Sequence, residues 1–331
     1  MNGEQMDTSL ERVEQWRANS LDIADLGEDE RMAVAEHAAA EQEEELVSAL
    51  VPLLSEAELH FVNFRRAQVS NNADIAGESI RSCVENCRKS GDRDHRLEAR
   101  ARMEWGLLRY SLGEKEEAGV DLKWAMERLK VVDEGSAAHG VALLNMAAWH
   151  ETRAEWMMAL AMHSEISRHG PHLVETVALS RLAASRLQMH LQDHESALRH
   201  SWVALHGLSE AGLPGLAVEA ALIWLNLALA DVNEKATKML TRVEESSPRK
   251  VGQEFVLNSH PEDVAFAYDA IADSWDGGVS GSDRPDLQLM LEASRVLGRE
   301  EFEAQLMQTE DITDTQLLQM LEHPADQSES S

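Results

Sequence analysis

Residues 103–125, Met103-Glu-Trp-Gly-Leu-Leu-Arg-Tyr-Ser-Leu-Gly113 running on through Ala118, Leu122 and Ala125, decide how this chain folds. Large apolar residues recur there at intervals of three and four, the period of a helix buried along one side. Gly106 stands among them, where a small residue lets a second helix come close. Gly113 ends the run, as glycine commonly does just past a helix. The periodicity then restarts through Ala118, Leu122 and Ala125, so the stretch reads as two helices joined by a tight turn.

The unit recurs along the chain. A second copy runs through Leu143, Met146, Ala147, Ala159 and Ile166 and closes at Pro171. A third runs through Ala184, Ser185, Ala197 and Ala204, and a fourth through Ile223, Ala236, Leu240 and Val243 to Pro248. With Ala118, Ala159, Ala197 and Ala236 taken as equivalent, the spacings are 41, 38 and 39 residues. This pattern resembles the tetratricopeptide repeat, whose helix A and helix B cross through small residues and whose units end at proline. Gly106, Gly113, Ala118 and Ala125 match it in the first copy, and Ala147, Ala159 and Pro171 in the second. Ser185, Ala197 and Ala204 match in the third, and Ala236 and Pro248 in the fourth. The spacing exceeds the family's period of about 34 residues. It is similar to longer sensor repeats attached to some bacterial and archaeal regulators. Arg181 takes a helix A position that is usually aromatic or apolar, and Trp224 one that is usually small. The resemblance implies an all-α, right-handed α-solenoid of antiparallel helix pairs with flanking helices.

The flanks set the boundaries. Residues 1–54 read as N-terminal acidic helices, with Glu28 to Leu54 as one long helix carrying Met32, Ala35, Ala39, Leu46 and Leu50 on a stripe. Ser55-Glu-Ala-Glu58 is a capping box ahead of Phe61, Phe64 and Ala67, and Asn72 caps a helix carrying Ile75, Ile80, Cys83, Val84 and Cys87. These two form a degenerate pair at the front, so the repeat block covers 55–248. Residues 249–310 hold further helices: Ser259-His-Pro-Glu262 opens one through Val264, Tyr268, Ile271 and Trp275. Asp276 to Asp283 is a flexible loop, and Pro285 starts a helix ended by Gly298. Residues 311–331 carry a short helix, Leu317 to Leu321, on a loose tether, followed by a disordered tail.

Composition narrows the function. The chain has 331 residues, 44% of them hydrophobic, with 60 acidic against 30 basic residues and a net charge of −30. Such a surface repels phosphate backbones and anionic lipid, so neither nucleic acid nor a membrane is the expected partner. No stretch is long and apolar enough to span a bilayer, and residues 1–24 are polar and acidic, unlike a secretory leader. Cys83 and Cys87, four apart on one helix face, read as reduced, packed thiols of a cytoplasmic protein.

Nothing in the sequence carries catalytic chemistry. There is no nucleophile elbow, no phosphate loop and no Cys-x-x-Cys. Of the 14 histidines, His190 and His194 have the spacing of metal ligands, but they flank an inter-helix turn and share no face. No metal or cofactor is expected, and the chain reads as a non-enzyme. The tryptophans inside the repeat block, among them Trp105, Trp124, Trp149, Trp156, Trp202 and Trp224, read as packing between helix layers.

In the family, the inner face of helix A lines a concave peptide-binding surface. Carried over by position, that face holds Arg100, Met103 and Tyr110, then Leu144, Asn145 and Glu151, then Leu182, Arg186 and His190. Met103 and Leu144 stand where carboxylate-clamp members carry polar groove residues. Arg100, Arg186 and His190 either make a basic island for an acidic or carboxylate-bearing partner or pair with neighbouring Glu. The function expected is a protein–protein interaction scaffold offering this groove to a peptide or helix. The alternative is the ligand- or peptide-sensing half of a regulatory system whose output a partner carries.

Overall fold

A computed structural model describes residues 3–89, 93–167, 169–229, 261–309 and 311–322. Among the described residues the protein is all-helical, without a strand. The chain forms two compact units, 1–176 and 177–331, and the division falls within a single helix, Val174–His190. It therefore lies inside the segment 55–248 rather than at either end of it.

The first unit contains α1 (Gly3–Arg17), α2 (Glu28–Ala40), α3 (Glu44–Leu50), α4 (Glu56–Val69), α5 (Ala73–Lys89), α6 (His95–Ser111), α7 (Lys115–Val132), α8 (Ala137–Thr152) and α9 (Trp156–Glu165). From α4 onward each helix packs against the next. The residues that position α4 and α5 were legible in the sequence. Ser55 Oγ accepts from Glu58 N–H at 3.3 Å while Glu58 Oε2 accepts from Ser55 N–H at 2.8 Å, and Asn72 Oδ1 accepts from Ile75 N–H at 3.1 Å. Phe61, Phe64, Ile80, Cys83 and Cys87 then bury one face of the pair, whereas Ile75 points outward.

The single helix expected over Glu28–Leu54 is instead α2, α3 and a one-turn 3-10 helix, Val51–Leu53. Gln42 takes positive φ, which folds α3 back so that Leu46, Val47 and Leu50 join Val13, Val34, Ala35, Ala38 and Val62 in one core. A straight helix would leave that apolar stripe in water.

The turn that breaks this helix recurs. Gln42, Asn71, Gly113, Ala154, Gln192, Gly212 and Gly298 all sit at positive φ, between 51° and 89°. The residue after each donates its N–H to the carbonyl five residues back, at 2.8–3.0 Å: Glu43 to Ala38, Asn72 to Ala67, Glu114 to Arg109, Glu155 to His150, Asp193 to Gln188, Leu213 to Leu208, and Arg299 to Ser294. The next helix begins one residue later. This is the left-handed helix stop that satisfies the last carbonyls, with the following residue already opening the next helix. The sequence advertises it at Gly113 and hides it at Gln42, Ala154 and Gln192.

Small residues then set how closely helices cross. Ala118, Ala125, Ala147, Ala159, Ala197 and Ala204 are fully buried, as are Ser185 and Gly106. A methyl group on Gly106 would come within 3.0 Å of Leu122 Cγ and 3.1 Å of the Ala118 carbonyl. Gly119 is tighter still: its missing Cβ would lie 2.3 Å from the Trp149 ring, which instead lies over the helix and donates Nε1–H to the Lys115 carbonyl at 2.9 Å. Ala236 and Pro248, the expected fourth copy, lie outside the described residues.

The second unit continues the helix Val174–His190 (α10) with α11 (His194–Glu210), α12 (Pro214–Ala228), α13 (Pro261–Ala272), α14 (Pro285–Val296), α15 (Glu300–Met307) and α16 (Thr315–Glu322). Trp224, far from being out of place, is 1% exposed at the centre of its core, with Leu205, Leu225, Ile271, Met290 and Leu306 in the same cluster. Two expectations change. Trp275 falls after its helix, and the loop behind it is held: Trp275 Nε1–H and Arg284 Nη1–H both reach the Gly278 carbonyl, at 3.0 and 2.9 Å. The short C-terminal helix is docked rather than tethered. Leu317 is fully buried, Arg295 Nη2–H donates to the Met320 carbonyl at 2.7 Å, and Asp314 accepts from the N–H groups of Gln316, Leu317 and Arg284.

Ala154 carries a Cβ in a backbone conformation that disfavours one by about 1–2 kcal/mol. After the entropy that glycine loses on folding, Ala154→Gly is expected to stabilise the protein by about 0.5–1 kcal/mol. A chemical-denaturation midpoint that falls would contradict the reading of this turn.

Candidate functional site

The residues expected on the inner helix A face divide between the units: Arg100, Met103 and Tyr110 on α6 and Asn145 and Glu151 on α8 in the first, Arg186 and His190 on α10 in the second. α6 and α8 both pack on α7. Met103 is 6% exposed and belongs to the core rather than to an open groove. Tyr110 is half-buried with the Lys115 ammonium 5.8 Å from its ring centroid. Asn145 is half-buried, and its side-chain nitrogen is out of contact with solvent and without a hydrogen-bond partner. Glu151 Oε1 lies 3.5 Å from His163 Nε2.

The basic island resolves into ion pairs. Arg100 Nη2 meets Glu36 Oε2 at 2.6 Å and its guanidinium lies 4.9 Å from the Phe61 centroid. Arg65 joins the same group, with Nε on Glu36 Oε1 at 3.0 Å and Nη2 on Glu104 Oε1 at 2.8 Å. Arg186 forms a two-pronged pair with Glu219 on α12. Of the two readings left open by the sequence, pairing with neighbouring Glu is the one realised for both arginines.

The same motif appears three times in the first unit: a sequestered carboxylate held by two arginines. Glu36 takes Arg65 and Arg100. Glu98, fully buried, takes Arg88 and Arg93 at 2.7 and 2.6 Å. Asp121, 3% exposed, takes Arg102 and Arg109 at 2.6 and 2.7 Å. Burial alone would raise the Glu36 carboxyl, but the Arg100 and Arg65 charges outweigh it and hold it below the usual carboxylate range. The planar guanidinium suits this role because it delivers two donors to one carboxylate and still lies flat on a ring. Arg102 and Arg128 lie over Trp124, Arg81 and Arg109 over Trp105, and Arg153 over Trp149, with 4.3–5.4 Å from guanidinium to centroid. Trp105, Trp124 and Trp149 are therefore half-buried under arginine rather than fully enclosed packing residues.

The cysteine pair and the His190–His194 pair are the two chemistries expected to be idle. Cys83 is pushed up by its hydrogen bond with Cys87 and by burial, so it stays a thiol. His190 and His194 sit at the end of α10 and the start of α11, across the Gln192 turn. Among the described residues no three His, Cys, Asp or Glu side chains are grouped to hold a metal ion.

One feature escaped the sequence reading. His139, 2% exposed, accepts from the Gly135 N–H on Nδ1 at 3.1 Å and faces His172 with ring centroids 5.5 Å apart. His139 Nε2 and His172 Nδ1 are buried without partners. Burial, and for His139 also the neighbouring His172, lowers both from the ordinary histidine value; Glu134 opposes this at both rings. Thirty-three residues apart in a chain rich in histidine, the pair leaves no local signature.

No family model matches the chain, and no curated protein does. A solved structure, that of BtubC (BKLC) from P. vanneervenii, aligns over 86% of this chain and 94% of that one at 10% identity with a TM-score of 0.33. That likeness carries no argument about this protein.

The site generates two predictions. Arg100→Glu, which leaves Glu36 short of a partner and sets a second carboxylate beside it, is expected to lower stability by about 2–4 kcal/mol. Arg186→Glu at an exposed pair should change it by at most about 1 kcal/mol. Equal denaturation midpoints for the two variants would contradict the buried network. For the histidine pair the sign follows from proton uptake. An unfolded His titrates near 6.5, while His139 and His172 titrate lower when folded, so below about pH 6.5 the unfolded state binds more protons. Stability falls with falling pH through that window, by at most about 1.4 kcal/mol per pH unit per histidine. His139→Asn, which keeps an acceptor for Gly135, should therefore lose less stability than the parent between pH 7.5 and 5.5, read as the shift in urea midpoint.

Proposed function

We propose that this chain is a non-catalytic interaction scaffold, a right-handed solenoid of tetratricopeptide-like pairs whose helix A face receives a peptide or helix of a partner protein. The observation that carries the reading is the face of α6 and α8. Leu107 and Val141 are 37% and 40% exposed there, and Tyr110 is half-buried. The recurrent turn supports the same reading, because identical turns stack helix pairs in the regular manner that leaves an extended surface.

Because Arg100 and Arg186 are held by Glu36 and Glu219, charge on this face gives no preference for an acidic partner. The partner segment is better described as amphipathic, with an apolar side for Leu107 and Val141. The buried, unbridged thiols of Cys83 and Cys87 fit a cytoplasmic setting.

The test is co-purification from the native host with the full chain and with a Leu107→Glu/Val141→Glu variant. Both residues are exposed, so the two proteins should melt alike. A protein recovered in equal amount with the parent and lost with the variant is the expected result. Capture undiminished by the variant would remove the α6–α8 face as the recognition surface.

A further inference from the structure

Where the chain enters α10, residues 169–173 lie against the start of α8, and the fit is close enough to need glycine. Gly135, at φ +79°, has no room for a Cβ beside Pro171. A Cβ on Gly140 would lie 2.6 Å from Thr176 Cγ2 and 3.3 Å from His172 Nδ1. His139, between these two glycines, faces His172 across the contact.

Both rings suit this contact only when neutral. His139 Nδ1 accepts from the Gly135 N–H, so its hydrogen is on Nε2. A proton on Nδ1 would set donor against donor and take the hydrogen bond from the turn. His172 hydrogen-bonds to the Glu165 backbone. Its Nδ1 is out of contact with solvent and without a partner, so Nε2 makes that bond, and a proton on Nδ1 would find no acceptor. Two imidazoliums with centroids 5.5 Å apart would also repel each other.

The charges around the pair do not reverse this. Burial holds each ring below the ordinary histidine value against the pull of Glu134, on both rings, and of Glu165. Glu134 is exposed, where solvent screens it, and Glu165 is occupied by Lys130 at 2.6 Å. Lys130 itself opposes a charge on His139. Of the other titratable groups on these segments, Asp133 pairs with Arg96 at 3.5 Å, and His169 and Glu175 are exposed.

The stretch is also easily released. The N–H groups of His169 and Gly170 bond to Ser167, one on its Oγ and one on its carbonyl, both at 3.2 Å. It can therefore lift from α8 without unpairing a helix, which is the condition for a local opening.

We infer that His139 and His172 are a proton-operated clasp. With both rings neutral, residues 169–173 are pinned on α8. When mildly acidic solution charges the rings, this stretch lifts off while the helices it joins stay folded. The clasp does not depend on what the α6–α8 face binds.

Amide hydrogen exchange of the full chain at pH 7.5 and 5.5, with and without about 1 M urea, tests this once rates are corrected for the pH dependence of free amides. Exchange at 135–140 and 169–173 should rise on acidification by up to about ten-fold for each histidine, because a ring freed from the contact titrates near 6.5. At pH 5.5 that exchange should be indifferent to urea, as a small opening is, whereas amides in the middle of α7 speed up through larger openings. In His139→Asn, which keeps the acceptor for Gly135, only the share of His172 should remain, and in His139→Asn/His172→Asn none. Exchange that does not rise on acidification overturns the inference. A rise that grows with urea in step with α7 also overturns it, since the opening is then that of the whole unit. Both outcomes are read on the parent protein and stand whether or not the variants fold. A rise that survives in the double variant takes the clasp away from these histidines.

Discussion

One left-handed residue and one hydrogen bond set the geometry that the rest of the structure depends on. At each of seven turns the backbone reverses hand for a single residue, and the next N–H closes on a carbonyl five residues back. Helix ends leave carbonyls that must be satisfied, and this closure satisfies them without a side chain. With the turn fixed, the exit angle of the following helix is fixed as well. Side chains at the crossing then need only be small enough, as Gly106 is under Leu122 and Gly119 under Trp149. Gly113, Gly212 and Gly298 adopt the turn without strain. Gln42, Ala154 and Gln192 adopt it because the helices on either side, packed through their apolar faces, leave the chain no other path.

The charge distribution follows from how those helices are tied. Glu36, Glu98 and Asp121 are taken out of water, and each is compensated by two guanidiniums that remain partly at the surface. A sequestered carboxylate is tolerable only with such partners. The result is that much of the scarce positive charge is committed inside the first unit, and the surface is left to the unpaired acids. This is why a basic residue at the right position of a helix A, such as Arg100, need not belong to a binding face.

Legibility differed by the range of the interaction. The Ser55–Glu58 capping box, the Asn72 cap, the stop at Gly298 and the burial of Ala118, Ala159 and Ala197 were all readable, because each depends on neighbours within a few residues or on helical period. Met103 was misread for a related reason: period places it on the α6 face, but only the approach of neighbouring helices decides that the face is closed at its level. The Arg100–Glu36 pair spans 64 residues and the His139–His172 pair 33, so no window of sequence contains either.

By itself, then, the sequence determined that the chain is helical and built from repeated pairs, since helix propensity, caps and the spacing of small residues act locally along the chain. It also determined the overall negative charge. Tertiary structure decided where helices break without glycine, as at Gln42, which arginines are consumed by buried carboxylates, and that Leu317 is core rather than tether. Those outcomes depend on which distant surfaces meet. The physical reason is that burial and ion pairing are properties of two segments brought together, and neither segment carries the information alone.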